Sequence, residues 1–195
     1  ETGTLTISNK LAPVLVWSNP ASIVYGTLLS NTQLNASITP TGSCVYSPAL
    51  NSKLEVGTRT LSVTCTPTDN TYDAISGTVT LVVTGKPVTV SAVLKTKEYG
   101  ASDPALTYSI TSGSLEAGDS LSGELSRTLG ENVGTWSILS GTLDNINYVI
   151  TYVGENLSIT VKAVTVIVTA PDKPYDRSTD SSLSIGSLSG VLSAH

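Results

Sequence analysis

The sequence contains no phenylalanine and no methionine, one histidine, two cysteines and only 10 lysines and arginines among its 195 residues. Each shortage excludes something. Without Phe or Met, a core has to be filled and flanked by Val, Ile, Leu and Thr. That β-branched bias, with 16 Gly and 9 Pro, points to strands and turns rather than helices. The few cations are scattered and the net charge is −5, whereas duplex binding needs clustered Lys and Arg to displace counterions. Nucleic acid is therefore not an expected partner. The lone histidine is His195, at the end of the sequence. With no Ser-His pairing, Gly-x-Ser-x-Gly elbow or phosphate loop, no enzyme and no cofactor are expected. The longest apolar runs, such as "VTVIV" at 164–168, have strand length, far from the roughly 18 residues of a membrane helix. No membrane insertion is expected.

What is present is repetition. A hydrophobic fraction of 39% and a mean hydropathy of +0.17 allow a real core, and the length suggests two domains. "APVLVW", "KPVTVS" and "KAVTVI" each open a module, with Pro13, Pro87 and Ala163 equivalent and spaced by 74 and 76 residues. Twelve residues on fall Tyr25, Tyr99 and Tyr175. "EVGTRTLSV" at 55–63 echoes "NVGTWSILS" at 132–140, and "DNTYDAI" at 69–75 echoes "DNINYVI" at 144–150. Modules close in "TVTLVV" (78–83) and "NLSITV" (156–161). Five matches in the same order define an internal repeat. The chain then reads as a window on a longer array: 1–9 is the closing strand of an upstream repeat or an appended remnant, 10–85 and 86–162 are complete modules, and 163–195 opens another.

Within each module the pattern is β. Runs such as "VTLVV" and "LSVTCT" are apolar or alternating over four to seven residues and bounded by Gly, Pro, Asn and Asp. Only "GSLEAGDSL" (113–121) suggests a short helical turn, N-capped by Ser114. On such a turn Glu116 and Asp119 would make a solvated face. "VVTGKPVTV" passes from strand to strand within four residues, so the junction at Gly85-Lys86-Pro87 is expected to be stiff and the modules to form an elongated rod.

The recurring Tyr-Gly step (Tyr25-Gly26, Tyr99-Gly100, with Tyr175-Asp176 third) has two readings. Gly takes φ > 0 where a strand turns sharply, while Tyr buries its ring and ties down nearby groups through its hydroxyl; thrice-repeated turn residues favour this structural joint. Alternatively, a Tyr at a module edge stacks on a sugar. Cys44 and Cys65 sit on two strand-like runs that face one another if paired antiparallel. A disulfide there stabilises by about 3 kcal/mol and suits an oxidising, extracellular or cell-surface setting. Two buried thiols or a metal pair are the alternatives, although no further Cys or nearby His completes a zinc set. Asp69, Asp73 and Asp144 lie in Asp/Asn-rich loops but lack the alternating oxygen ligands of a calcium loop, and such residues are ordinary turn formers. Asn35 and Asn156 head N-glycosylation triplets.

"KEYGASDPALTY", "ITSGSLEAGDSLSGELSR", "GENVGTWSI" and "YVITYVGENLSIT" carry a resemblance: residues 86–162 look like an MBG (mirror β-grasp) domain of giant bacterial surface proteins. Residues 13–85, through "VYGTLLSNTQLNA", "VGTRTLSVTCTPTD" and "GTVTLVV", resemble the bacterial Ig-like repeats that accompany such domains. The last 33 residues resemble the start of a repeat with a Tyr-Asp-Gly signature, with Arg177 in place of Gly. The resemblance implies tandem β modules, an Ig-like sandwich followed by a β-grasp-like module. It also implies a structural or adhesive stalk outside the cell. The alternative is an adhesive module that recognises host glycan or protein through exposed Tyr, Trp17 or Trp136. Neighbouring repeats are the expected partners. Ala163–His195 is too short to build a core, so its strand is expected to pair with an edge of the MBG-like module or with a second copy, giving a strand-mediated dimer.

Overall fold

A computed structural model describes residues 10–180, 182 and 184–192; residues 1–9, read above as a closing strand or remnant, lie outside these, as does His195. The described structure is all β. It divides into two compact units, one of Glu1–Thr89, Ser112–Leu121 and Asp144–Thr151, the other of Val90–Thr111, Ser122–Leu143 and Tyr152–His195.

In the first unit, β1 (Val14–Val16) pairs antiparallel with β3 (Ser37–Thr39). A four-stranded sheet contains β2 (Ile23–Val24), β4 (Gly42–Ser47), β5 (Gly57–Pro67) and β6 (Ile75–Thr84) in the order β2-β6-β5-β4. The β2–β6 pair is parallel and the others antiparallel. Period-two alternation puts Leu61, Val63 and Cys65 of β5 and Val79, Leu81 and Val83 of β6 inside, as strand geometry requires. Leu61, Val79, Leu81 and Val83 join Ile23, Tyr25, Leu29, Leu34, Val88 and Tyr148 in one apolar cluster, and Val63 and Cys65 join Ile38 in a second, both made without Phe or Met.

The second unit builds the same sheet again. β8 (Lys95–Glu98), β10 (Ser126–Arg127), β11 (Gly134–Leu139) and β13 (Glu155–Thr160) follow the order β10-β11-β13-β8. Here β8–β13 is the parallel pair, β10–β11 and β11–β13 the antiparallel ones. Gly57 opposes Val83 in one sheet and Gly134 opposes Ile159 in the other, so the echoing motifs occupy matching places in the register. The sequence repeat is a repeat of fold. Its buried apolar residues are Val90, Ile138, Leu157 and Ile159.

β7 (Lys86–Ala92), β9 (Tyr108–Ser112) and β12 (Tyr148–Val153) form a sheet in the order β12-β7-β9, and the division between the units falls within all three strands. One expectation is corrected. Residues 113–121 form no helical turn: Glu116 to Asp119 is a tight turn closed by Asp119 N–H to the Glu116 carbonyl at 3.0 Å. Gly118 at φ +89° leaves the right-handed region a helix needs. The final segment does not add to the β8–β13 sheet. β14 (Thr165–Thr169) pairs antiparallel with β15 (Ser184–Ser189) of the same segment, which covers one of its two edges.

Candidate functional site: the Tyr-Gly joint

The two Tyr-Gly steps have nearly the same backbone. Tyr25 N–H donates to the Thr84 carbonyl and Tyr99 N–H to the Thr160 carbonyl, at 2.8 and 2.9 Å. Both steps then close a turn, Thr27 N–H to Val24 and Ala101 N–H to Glu98, each at 3.0 Å. Gly26 and Gly100 take φ +91° and +82°, a conformation cheap only for glycine. Even the threonines match: Thr84 Oγ1 donates to the Ile23 carbonyl at 3.3 Å, Thr160 Oγ1 to the Lys97 carbonyl at 3.2 Å. The step is where a short strand, having run parallel to the module's last strand, leaves the sheet.

At the first joint the tyrosine is buried. Its ring meets that of Tyr148 edge-on, centroids 5.6 Å apart, and Lys53 Nζ lies 5.2 Å from its centroid. One carboxylate oxygen, Asp119 Oδ2, accepts from Tyr25 at 2.9 Å and from Tyr148 at 2.6 Å. The Tyr148 hydroxyl in turn accepts the Glu116 N–H at 2.7 Å. Hydrogen bonds from Tyr148 and then Tyr25 hold Asp119 below the usual carboxylate range. Desolvation first, and the Asp119 bond second, push Tyr148 up to about 12 and raise Tyr25 as well. Glu116 pairs with Lys86 at 2.5 Å. Glu116 and Asp119 are thus half-buried joint residues, not the solvated face expected of "LEAGD".

The second step differs in what surrounds it. Lys97, two residues before Tyr99 as Ile23 is before Tyr25, points inward and is only 7% exposed. Its ammonium bonds to Asp103 at 2.6 Å and to Glu131 at 2.5 Å. Arg127 completes the cluster, with Nε 2.5 Å from Asp103 Oδ2 and a further bond to Glu131. Arg127 and then Lys97 lower Asp103; Lys97 and then Arg127 lower Glu131. The third step makes neither arrangement. Tyr175 is 91% exposed, and the left-handed residue is Arg177 at φ +65°. Asp176 accepts the Ser178 N–H at 2.9 Å and pairs with Lys173 at 3.0 Å.

Cys44 and Cys65 are directly opposite in the β4–β5 register and joined in a disulfide. Asp69 caps its own turn, accepting Thr71 N–H at 2.9 Å and Thr71 Oγ1 at 2.7 Å, which lowers its pKa. Asp73 and Asp144 are not gathered with it. Among the described residues no group of three or more His, Cys, Asp or Glu is placed to hold a metal ion. Asn35 is exposed, whereas Asn156 is half-buried within β13. Trp17 and Trp136 are half-buried, and each indole N–H bonds a backbone carbonyl, Gln33 at 3.1 Å and Asn132 at 3.0 Å. Sequence reasoning missed Tyr148, the joint role of Asp119 and the Lys97–Arg127 cluster. The echo of "DNTYDAI" in "DNINYVI" aligns Asp73 with Tyr148 and so gave no signal for the first; nothing in "KTKEYG" marks Lys97 as buried.

The matching backbone of the Tyr-Gly steps has a counterpart in comparison with known proteins. Residues 88–158 match the family described as MBG domain (YGX type). That domain accordingly covers the Tyr99-Gly100 step, the ion cluster, and Asp119 and Tyr148, which the first joint uses. No curated protein matches the chain. The Tyr-Gly joint of residues 10–85 lies outside the MBG match, yet its sheet order and joint hydrogen bonds repeat those around Tyr99-Gly100.

Proposed function

We propose that the chain is a structural segment of a repeat-built extracellular or cell-surface protein, in which β modules space an adhesive part from the cell. The observation that carries this is the first Tyr-Gly joint. Tyr25 spends its ring on Tyr148 and its hydroxyl on Asp119, so at this joint the tyrosine is consumed in packing rather than offered to a ligand. The MBG match over 88–158 supports a repeat module, and the Cys44–Cys65 disulfide suits an oxidising setting. Neighbouring repeats are the natural partners of such a module.

A second reading, recognition of host glycan or protein, draws on one observation, the exposed ring of Tyr175. Aromatic rings with a polar tip are common at recognition surfaces. A glycan array and a host-protein binding screen on the folded chain separate the two. The spacer reading expects no saturable binding. Saturable binding that Tyr175→Ala abolishes, while the fold persists, would replace it with the adhesive reading.

A further inference from the structure

The first joint and the second differ in cover, and the difference locates an interaction surface. "SGSL" at 112–115 recurs as "SGVL" at 189–192, 77 residues on. The two copies are equivalent in space as well as in sequence. A Cβ on Gly113 would press on the Pro87 carbonyl at 2.6 Å, and one on Gly190 on the Ala163 carbonyl at 2.4 Å. Pro87 and Ala163 are the equivalent module openers. The β14–β15 pair is therefore the counterpart of β7–β9. At the first joint residues of the following module cover Gly26, where an added Cβ would meet Glu116 at 2.4 Å; at the second Leu192 covers Gly100 at the same 2.4 Å.

One strand has no counterpart among the described residues. β12 flanks β7 on the edge away from β9, and its leading residue, Tyr148, belongs with Val88 to the buried cluster of the first core, against which Val56 packs. Val88 is 2% exposed, and the Val56 N–H is bonded by Asn147 Oδ1 at 3.2 Å. By the motif echoes, Val133 and Val164 occupy the same two places at the second joint. They are 51% and 52% exposed. Together with Tyr99, Val161, Val191 and Leu192 they line an apolar groove of about 320 Å³, and the adjoining strand β14 has one edge that β15 leaves open.

We infer that this groove and the open edge of β14 form a seat for a strand of the β12 type. The strand is led by an aromatic residue, as β12 is led by Tyr148, and is supplied by the continuation of the same repeat. The inference rests on reading the chain as part of an array. Main-chain bonds to β14 give the strand its register, and its leading ring removes Val133 and Val164 from water.

The test extends the chain in frame, joining a second copy of residues 116–162 directly after Leu192. Amide exchange and methyl NMR then report on β14, Val133 and Val164. Protection of the β14 amides that face away from β15, with shifted methyl signals at both valines, is the expected result. Val133→Asp should lower the melting temperature of the extended chain by about 5 °C or more and leave the 195-residue chain almost unchanged. An equal effect in both, or no protection in a folded extended chain, overturns the seat. If the extension fails to fold, a synthetic peptide of sequence 144–153 added to the 195-residue chain decides. Shifts at Val133 and Val164 uphold the seat, and their absence overturns it. Protection that arises in the unextended chain on raising its concentration would put a second copy on the seat, and so overturn its assignment to the continuing repeat. Failure of the seat leaves the spacer proposal intact, whereas glycan binding through Tyr175 would sink the spacer and leave the seat.

Discussion

Ile23 and Lys97 stand at equivalent points of two sheets of the same order, each on the short strand that runs parallel to its module's last strand, two residues before a Tyr-Gly step. Both point inward. In the first module the neighbourhood is apolar, and the nearby sheet is cross-linked by Cys44–Cys65. In the second the side chain is an ammonium, held by Asp103 and Glu131 with Arg127 beside them. The backbone tolerates either filling because the turn, the parallel pair and the Thr84 or Thr160 hydroxyl bond are set by main chain and glycine, not by the inward residue. The fold is specified by the joint; the interior is negotiable. Burial of a charge requires that every partner be present, so the inward position itself should respond to pH in the second module, whereas Ile23 carries no titrating group.

The largest effect expected is at Tyr148. Tyr148→Ala removes a buried aromatic ring from the first core and should cost about 3–5 kcal/mol in denaturant unfolding. Tyr148→Phe keeps the ring but loses the bond to Asp119 and the acceptor for Glu116 N–H, costing about 1–3 kcal/mol. If the alanine variant is no worse than the phenylalanine one, the ring does not close the joint. The same residue sets an alkaline limit. A folded pKa raised to about 12 means that the protonated hydroxyl is the stabilising form. Its contribution is complete below the ordinary tyrosine pKa of about 10 and is lost as pH rises toward 12. Melting temperature should fall over that interval, and less steeply in Tyr148→Phe.

The disulfide comes next. It spans a sequence separation of 21, and replacing both cysteines with alanine should cost about 3 kcal/mol through loop entropy of the unfolded chain. The loss should fall on the first core and leave exchange protection at Leu157 and Ile159 unchanged. Intact mass without reductant should be two hydrogens below that of the reduced chain. Two freely alkylated thiols in the native protein would remove the chemical support for an oxidising location.

How much of this was written in the sequence depends on whether the cause is local. The modules, their β class and the turn at each Tyr-Gly step follow from spacing and glycine, which act within a few residues. Cys44 and Cys65 were legible as candidates because both lie in strand-like runs. Residues 113–121 misled because Ser114 and Glu116 have the chemistry of a helix start, whereas Gly118 and the pull of Tyr25 and Tyr148 on Asp119 favour a turn. The last of these reaches across 94 residues of sequence and has no local signature. Lys97 was hidden for the same reason: lysine at an inward strand position is read as solvent-facing until its anions, contributed by 103 and 131, are known.

The smallest expected effect tests the negotiable interior itself. Lys97→Ile gives the second module the residue that the first already carries. Asp103 keeps Arg127, and Glu131 is largely exposed and keeps the same partner, so neither carboxylate is stranded. Removing one ion of a pair is costly when it strands a buried charge; here both carboxylates are partly exposed and keep Arg127, so the melting temperature near pH 7 should change little. Its pH dependence should change more. Asp103 and Glu131 are held below their ordinary range, so their stabilising contribution is complete above that range, about pH 4. It is lost as pH falls through their lower folded values. The native chain should therefore show a drop in second-unit stability below about pH 4, followed by NMR of the Asp103 and Glu131 carboxyl carbons. In Lys97→Ile that drop should shrink, because one of the two cations that depress the carboxylates is gone. A large loss of stability at neutral pH with the acid drop unchanged would show that the lysine is structurally required, and that the two modules share only a backbone.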